Sequence, residues 1–120
     1  MKASVLHKFC TPPIFEEIDD PVCGPNSVVI ELKACGVCRS DHHAWSGNDP
    51  DVKLPHIMGH ELAGIIVETG SDIKKFSIGD PVTVPFILGC GLCSDCQTGN
   101  STICDRQETI GFTIRGGFAQ

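Results

Sequence analysis

Four cysteines between residues 90 and 104 constrain this chain more than any other feature. Cys90, Cys93, Cys96 and Cys104 follow the spacing C-x2-C-x2-C-x7-C. A divalent zinc takes four soft, deprotonated ligands in a tetrahedron, with sulfur about 2.3 Å from the metal. Thiolates two residues apart reach one ion without straining the backbone when the loop carries small residues. Gly89 and Gly91 flank the first ligand here, and Gly99 interrupts the segment before the last. Two disulfides or four unpaired thiols are the alternatives, and spacing and ligand chemistry favour zinc. Four protein ligands leave no open position for a substrate, so such a site holds structure. A zinc-pinned lobe over about residues 88–106 is the expectation.

A length of 120 residues is the size of one domain, and 41% apolar content is ordinary for a globular protein. A net charge of −6 argues against nucleic acid or an anionic membrane as partner. Lys74 and Lys75 are the only adjacent basic pair, so no basic stripe forms. No apolar run reaches the length of a membrane span, and Met1-Lys2 leads into no secretory h-region. With half of the eight cysteines in one metal-spaced cluster, a reducing, cytoplasmic setting is expected. Cys10 and Cys23 read as ordinary thiols.

Short apolar runs separated by Gly and Pro predict an all-β barrel or sandwich. In residues 28–35, Ile30, Leu32 and Ala34 share one face, and Val29, Glu31 and Lys33 the other. In residues 61–68 both faces are apolar, which predicts a strand buried on both sides. A third strand is expected over 81–85, with weaker candidates at 2–9, 14–18 and the start of one at 116–120. A short helix is expected over 39–45, with Ser40 or Asp41 near its start and Gly47 past its end.

A second constellation lies at Cys35-Gly36-Val37-Cys38-Arg39-Ser40-Asp41-His42-His43 and Gly59-His60-Glu61. Cys38 and His60 are both zinc ligands by type, and three protein ligands plus water make a catalytic site. Glu61 is either a third ligand or a group behind the metal. Asp41 suits a ring N–H of His60, a helix cap, or both. Taken singly, a buried cysteine and a hydrogen-bonded core histidine are the ordinary alternatives.

These segments carry a resemblance. CGVCRSDHHAWSG at 35–47, LPHIMGHELAG at 54–64, IGDPV at 78–82, the cysteine lobe and GGFAQ at 116–120 run in order along the chain. Together they resemble the N-terminal catalytic domain of the medium-chain, zinc-dependent alcohol dehydrogenase family. The resemblance implies a mainly β fold over residues 1–120, a GroES-like, partly open barrel with short helices and a zinc lobe. It implies Cys38 and His60 as catalytic-zinc ligands with Glu61 close behind, and Cys90, Cys93, Cys96 and Cys104 as structural-zinc ligands. Ser40 would contact the substrate oxygen, and His43 would end a proton relay. Arg39, with His43, would meet the cofactor's pyrophosphate, and Trp45 and Phe86 would line the substrate pocket.

The implied reaction oxidises a small alcohol to an aldehyde or ketone, with hydride passing to NAD or NADP. The parent would be a homo-oligomer. No strand–GxGxxG–helix unit is present, so the nucleotide-binding domain is expected outside this chain. The family's third catalytic-zinc ligand, a further cysteine, is also expected beyond these residues. The 120 residues alone should therefore be inactive, as an excised domain or a partial product would be. Two other readings remain: a stand-alone zinc-stabilised GroES-like scaffold or binding module, and a thiol redox protein using Cys35-x-x-Cys38.

Overall fold

The computed structural model describes all 120 residues. Eight strands form: β1 (Lys2–Leu6), β2 (Ile14–Glu17), β3 (Val28–Gly36), β4 (His56–Ile57), β5 (Glu61–Thr69), β6 (Pro81–Thr83), β7 (Ile87–Leu88) and β8 (Glu108–Thr109). Two helices, α1 (Arg39–Trp45) and α2 (Ser94–Gln97), and a 3-10 turn at Ser101–Ile103 complete the chain. All strand pairs are antiparallel, in three sheets ordered β2-β1-β4, β3-β5-β6 and β7-β8. The sheets do not close on one another, so the fold is mainly β and a partly open barrel. No helix is long and apolar enough to cross a membrane.

The core is small, with 19 of 120 residues buried. Leu6, Ala44, Val52, Met58 and Phe112 form its centre, and Ala3, Val5 and Ile57 form a second cluster. Phe118 packs against both. Residues 116–120 make no regular strand. They nevertheless run along the first sheet, where Phe118 N donates to Met58 O (2.9 Å) and Ser4 N to Phe118 O (2.8 Å).

Two expectations about the central sheet need correction, and one cause explains both. Along β3 and β5, Leu32 pairs with Gly64 but Ala34 pairs with Ala63, so Lys33 is an extra residue in β3. Val29 pairs with Glu68 and Ile30 with Ile66, so Val67 is an extra residue in β5. A bulge of this kind breaks the two-residue alternation. Ala34 consequently leaves the face of Ile30 and Leu32 and is exposed, and Val67 is likewise exposed. β5 is thus buried on the Leu62, Gly64 and Ile66 face and only half-covered at Ala63 and Ile65. The third strand stops at Thr83 rather than at residue 85, since Pro85 has no N–H to extend the ladder.

Gly64 marks a close approach of the two long strands. A β-carbon there would run into the Glu31 carbonyl oxygen and stand 2.6 Å from Ile30 Cγ2. We expect Gly64→Ala to cost about 1–3 kcal/mol, the usual range for forcing an extra methyl into a packed site. Urea denaturation of the zinc-loaded protein measures it, and an unchanged midpoint would show that the strands can part.

Candidate metal centres

The four lobe sulfurs come together. Their Sγ atoms all lie within 4.8 Å of one another, with Cys90–Cys96 at 4.0 Å and Cys93–Cys104 at 3.8 Å. A tetrahedron with sulfur 2.3 Å from zinc has edges of about 3.8 Å, so the spacing suits a shared ion. All eight cysteines are free thiols, which removes the disulfide alternative in this structure. Backbone geometry supports charge on these sulfurs. Cys90 N (3.5 Å) and Arg106 N (3.4 Å) both donate to Cys104 Sγ, and Arg106 Nη2 donates to Cys90 Sγ (3.3 Å). Gly89 is needed beside them, because a β-carbon there would meet Cys96 Sγ and Ser101 Cβ at 2.8 Å. Neither α2 nor the 3-10 turn buries a side chain, so packing alone offers the lobe little.

The thiols are not equivalent. Backbone N–H groups of Leu92 and Cys93 draw the Cys90 thiol down to about 6. At Cys96 the Gly91 N–H is the strongest single influence and pulls downward. Burial and the bonds to Cys93, Cys104 and Cys90 together outweigh it and push that thiol up to about 12. Cys90 therefore gives up its proton more readily than Cys96. Loading the lobe near neutral pH should release fewer than four protons per zinc, since the lowered Cys90 thiol is the first to ionise. Titration of zinc into a weakly buffered, dye-monitored solution counts them, and a full four would contradict the Cys90 assignment.

The second cluster gathers Cys38, Asp41 and His60, again with ligand atoms within 4.8 Å. Cys38 Sγ and His60 Nε2 are 3.1 Å apart although the residues are 22 positions apart in the chain. Helix α1 spans the predicted residues, but its N-cap is Cys38 rather than Ser40 or Asp41. Cys38 Sγ accepts from Ser40 N (3.3 Å), and Asp41 Oδ2 accepts from Cys38 N (3.0 Å). The other Asp41 oxygen accepts from Gly59 N (3.1 Å). Asp41 thus ties the start of α1 to the turn before His60. That turn needs glycine: Gly59 has φ +95°, and a β-carbon there would stand 2.6 Å from Phe118 Cδ1.

His60 is buried against the rings of Phe86 (centroids 5.0 Å apart) and Phe112 (5.4 Å), the three rings forming a triangle. Its Nδ1 lies 3.4 Å from Asp41 Oδ1 without hydrogen-bonding geometry, so this buried nitrogen has no partner. Cys38 and His60 fit zinc by chemistry and by proximity. Asp41 is the third group in reach, yet both its oxygens already accept backbone N–H groups.

Residues 24–120 match the family described as alcohol dehydrogenase GroES-like domain. The chain belongs to that family. It is similar to an alcohol dehydrogenase of Geobacillus stearothermophilus, at 39% identity over all of this chain and 36% of the relative. Among solved structures, it resembles the alcohol dehydrogenase of Aeropyrum pernix, at 33% identity and TM-score 0.90 over 99% of this chain and 36% of that one. It also resembles the cobalt- and zinc-bound thermostable alcohol dehydrogenase of Pyrobaculum aerophilum, at 35% identity and TM-score 0.85 over 99% of this chain and 37% of that one. The chain spans about a third of the length of these relatives.

Within this GroES-like domain the other predicted residues separate. Ser40, His43 and Phe86 line one open cleft of about 440 Å³ beside the Cys38–His60 pair. Arg39 is exposed on α1. Trp45 does not reach the cleft. It packs against the central core and donates its indole N–H to Thr11 O (2.7 Å), because the seven-residue helix turns that position inward. Glu61 is not among the gathered ligand atoms. Its carboxylate crosses to the neighbouring strand beside Gly36, where a β-carbon would collide with it. Cys35 also stays apart from the metal cluster, bonding Gly36 O (3.6 Å), and burial raises its thiol. A raised thiol is the reverse of what a redox Cys-x-x-Cys pair requires.

Phe112, Asn48, Asp49, Asp51 and Thr109 were not singled out from the sequence and share the cleft. Asn48-Asp49-Pro50-Asp51 reads as an ordinary polar loop, and Phe112 as an ordinary core residue, so no local signal marked them.

Proposed function

We propose that this GroES-like domain is the zinc-carrying catalytic part of an alcohol dehydrogenase that oxidises an alcohol to a carbonyl compound. The observation that carries the reading is the meeting of Cys38 Sγ and His60 Nε2 at 3.1 Å beside a cleft bearing Ser40 and His43. Zinc held by Cys38 and His60 supplies Lewis-acid chemistry, lowering the pKa of an alcohol oxygen. The Ser40 hydroxyl both donates and accepts, so it can take the substrate's proton and pass it on. His43 is exposed on the same helix and can exchange that proton with water. Phe86 and Phe112 cover the His60 ring and keep water from that side.

A nicotinamide, NAD or NADP, would supply the hydride acceptor; these 120 residues contain no dinucleotide-binding motif, so its binding would fall to a separate domain. Arg39, exposed at the start of α1, suits the cofactor's phosphates. The same reading places the tetrathiolate lobe as a structural zinc site over about residues 88–106 of a single 1–120 domain. It also places the parent, a homo-oligomer, in a reducing cytoplasm where the thiols stay available.

The test uses a chain extended to the length of its relatives. Cys38→Ser and His60→Ala should each remove one of about two zinc ions per chain and abolish turnover. Ser40→Ala should keep both ions and lower kcat by about 10²–10⁴, the range for a general acid–base group. Full turnover in His60→Ala would end the reading.

A further inference from the structure

Resting on that function, we propose that Asp49 and Asp51 set the substrate class, selecting neutral polyhydroxy alcohols over apolar and anionic ones. The cleft beside Cys38 and His60 is divided by chemistry. Its floor is aromatic: Phe86 and Phe112 stand against the His60 ring, with their own centroids 5.6 Å apart. Its outer wall is polar, formed by the loop that follows α1 and carries Asn48, Asp49 and Asp51. Of the eight lining residues only the two phenylalanines are hydrophobic. A cleft for simple alkyl alcohols would be expected to be mainly apolar.

The wall's hydrogen-bonding capacity points outward. One Asp49 oxygen accepts from Asp51 N (2.9 Å), which orders the loop. The second Asp49 oxygen and both Asp51 oxygens have no protein donor. Asn48 spends an N–H on Ser46 Oγ (2.8 Å) and keeps its carbonyl oxygen free. Ionised carboxylates accept and cannot donate. Their complement is therefore a ligand rich in O–H donors, and a carboxylate or phosphate would be repelled. A polyol can rest its reacting carbon at the aromatic floor by Ser40 and extend its remaining hydroxyls to Asp49 and Asp51. An alkyl chain of equal length would desolvate these acceptors with nothing in return.

Three six-carbon probes separate the cases: sorbitol, 1-hexanol and gluconate. Each is titrated into the zinc-loaded chain, extended to the length of its relatives, while the amide resonances of Ser40, Asn48, Asp49 and Asp51 are followed. Sorbitol should shift these amides with an affinity at least about tenfold above gluconate and hexanol, the effect of one hydrogen bond to a charged group. Asp49→Leu/Asp51→Leu should lose that advantage and favour hexanol. If the double variant is misfolded, Asp51→Asn alone should still narrow the gap between sorbitol and gluconate. Tighter hexanol than sorbitol, equal gluconate, no binding by any probe, or an order unchanged in the variants would overturn the proposal. His60 ring signals that do not move on adding zinc would instead defeat the underlying catalytic reading. Moved signals with the wrong probe order defeat only this inference.

Discussion

Cys104→Ser is expected to empty the lobe of zinc and release residues 88–106 while β1 to β6 stay folded. Cys104 is the one fully buried ligand of its set, 1% exposed, and it receives two backbone N–H groups as well as facing Cys93. The lobe around it has no core of its own: α2 and the 3-10 turn bury nothing, and Leu92 and Ile103 point to solvent. Structural zinc in small domains contributes about 10–16 kcal/mol at neutral pH, far above what these few contacts provide. Metal analysis and amide exchange measure the outcome together. Retained zinc with protected lobe amides would mean that packing holds this segment. Arg106→Gln should act in the same direction more weakly, since it removes one N–H donor to Cys90 and no ligand.

The second large effect belongs to Asp41→Ala. This buried carboxylate accepts from Cys38 N at the start of α1 and from Gly59 N before His60. Removing it leaves two donors unpaired, one of them the N–H of Cys38, the N-cap of α1. Each buried unpaired donor costs about 1–3 kcal/mol, so a loss of about 2–6 kcal/mol is expected. Asp41→Asn should lose less, since its amide oxygen still accepts one bond. Urea denaturation with parallel zinc analysis distinguishes two roles. Loss of stability identifies Asp41 as the tie between helix and turn. Loss of zinc at unchanged stability would make it a metal ligand instead.

Much of this fold was legible in local pattern. Helix α1 was expected over the residues it occupies, because its capping groups and the following Gly47 lie within one short segment. The strands at the head of the chain and β5 follow the apolar runs. What alternation missed were the extra residues Lys33 and Val67. A bulge depends on how two chains cross, and neither strand encodes it alone. Trp45 shows the same limit. An aromatic residue by a ligand segment suits a pocket or a core equally, and only the seating of α1 on Leu6, Val52 and Met58 turned it inward. Glu61 follows His60 in sequence, yet it opens β5 and pairs with Gly36 while His60 lies in the turn before the strand, which leaves its carboxylate against Gly36 and apart from Cys38 and His60.

Sequence alone determined the lobe cluster, because four thiols within fifteen residues on a glycine-punctuated loop have few other ways to be satisfied. It also determined the ligand types at Cys38 and His60. Tertiary structure decided that these two meet, that Asp41 braces the junction, and that Asp49 and Asp51 face the same cleft. Residues close in the chain share a geometry set by bond lengths and hydrogen-bond register. Residues 22 apart share one only when the packed core brings their strands and helix together.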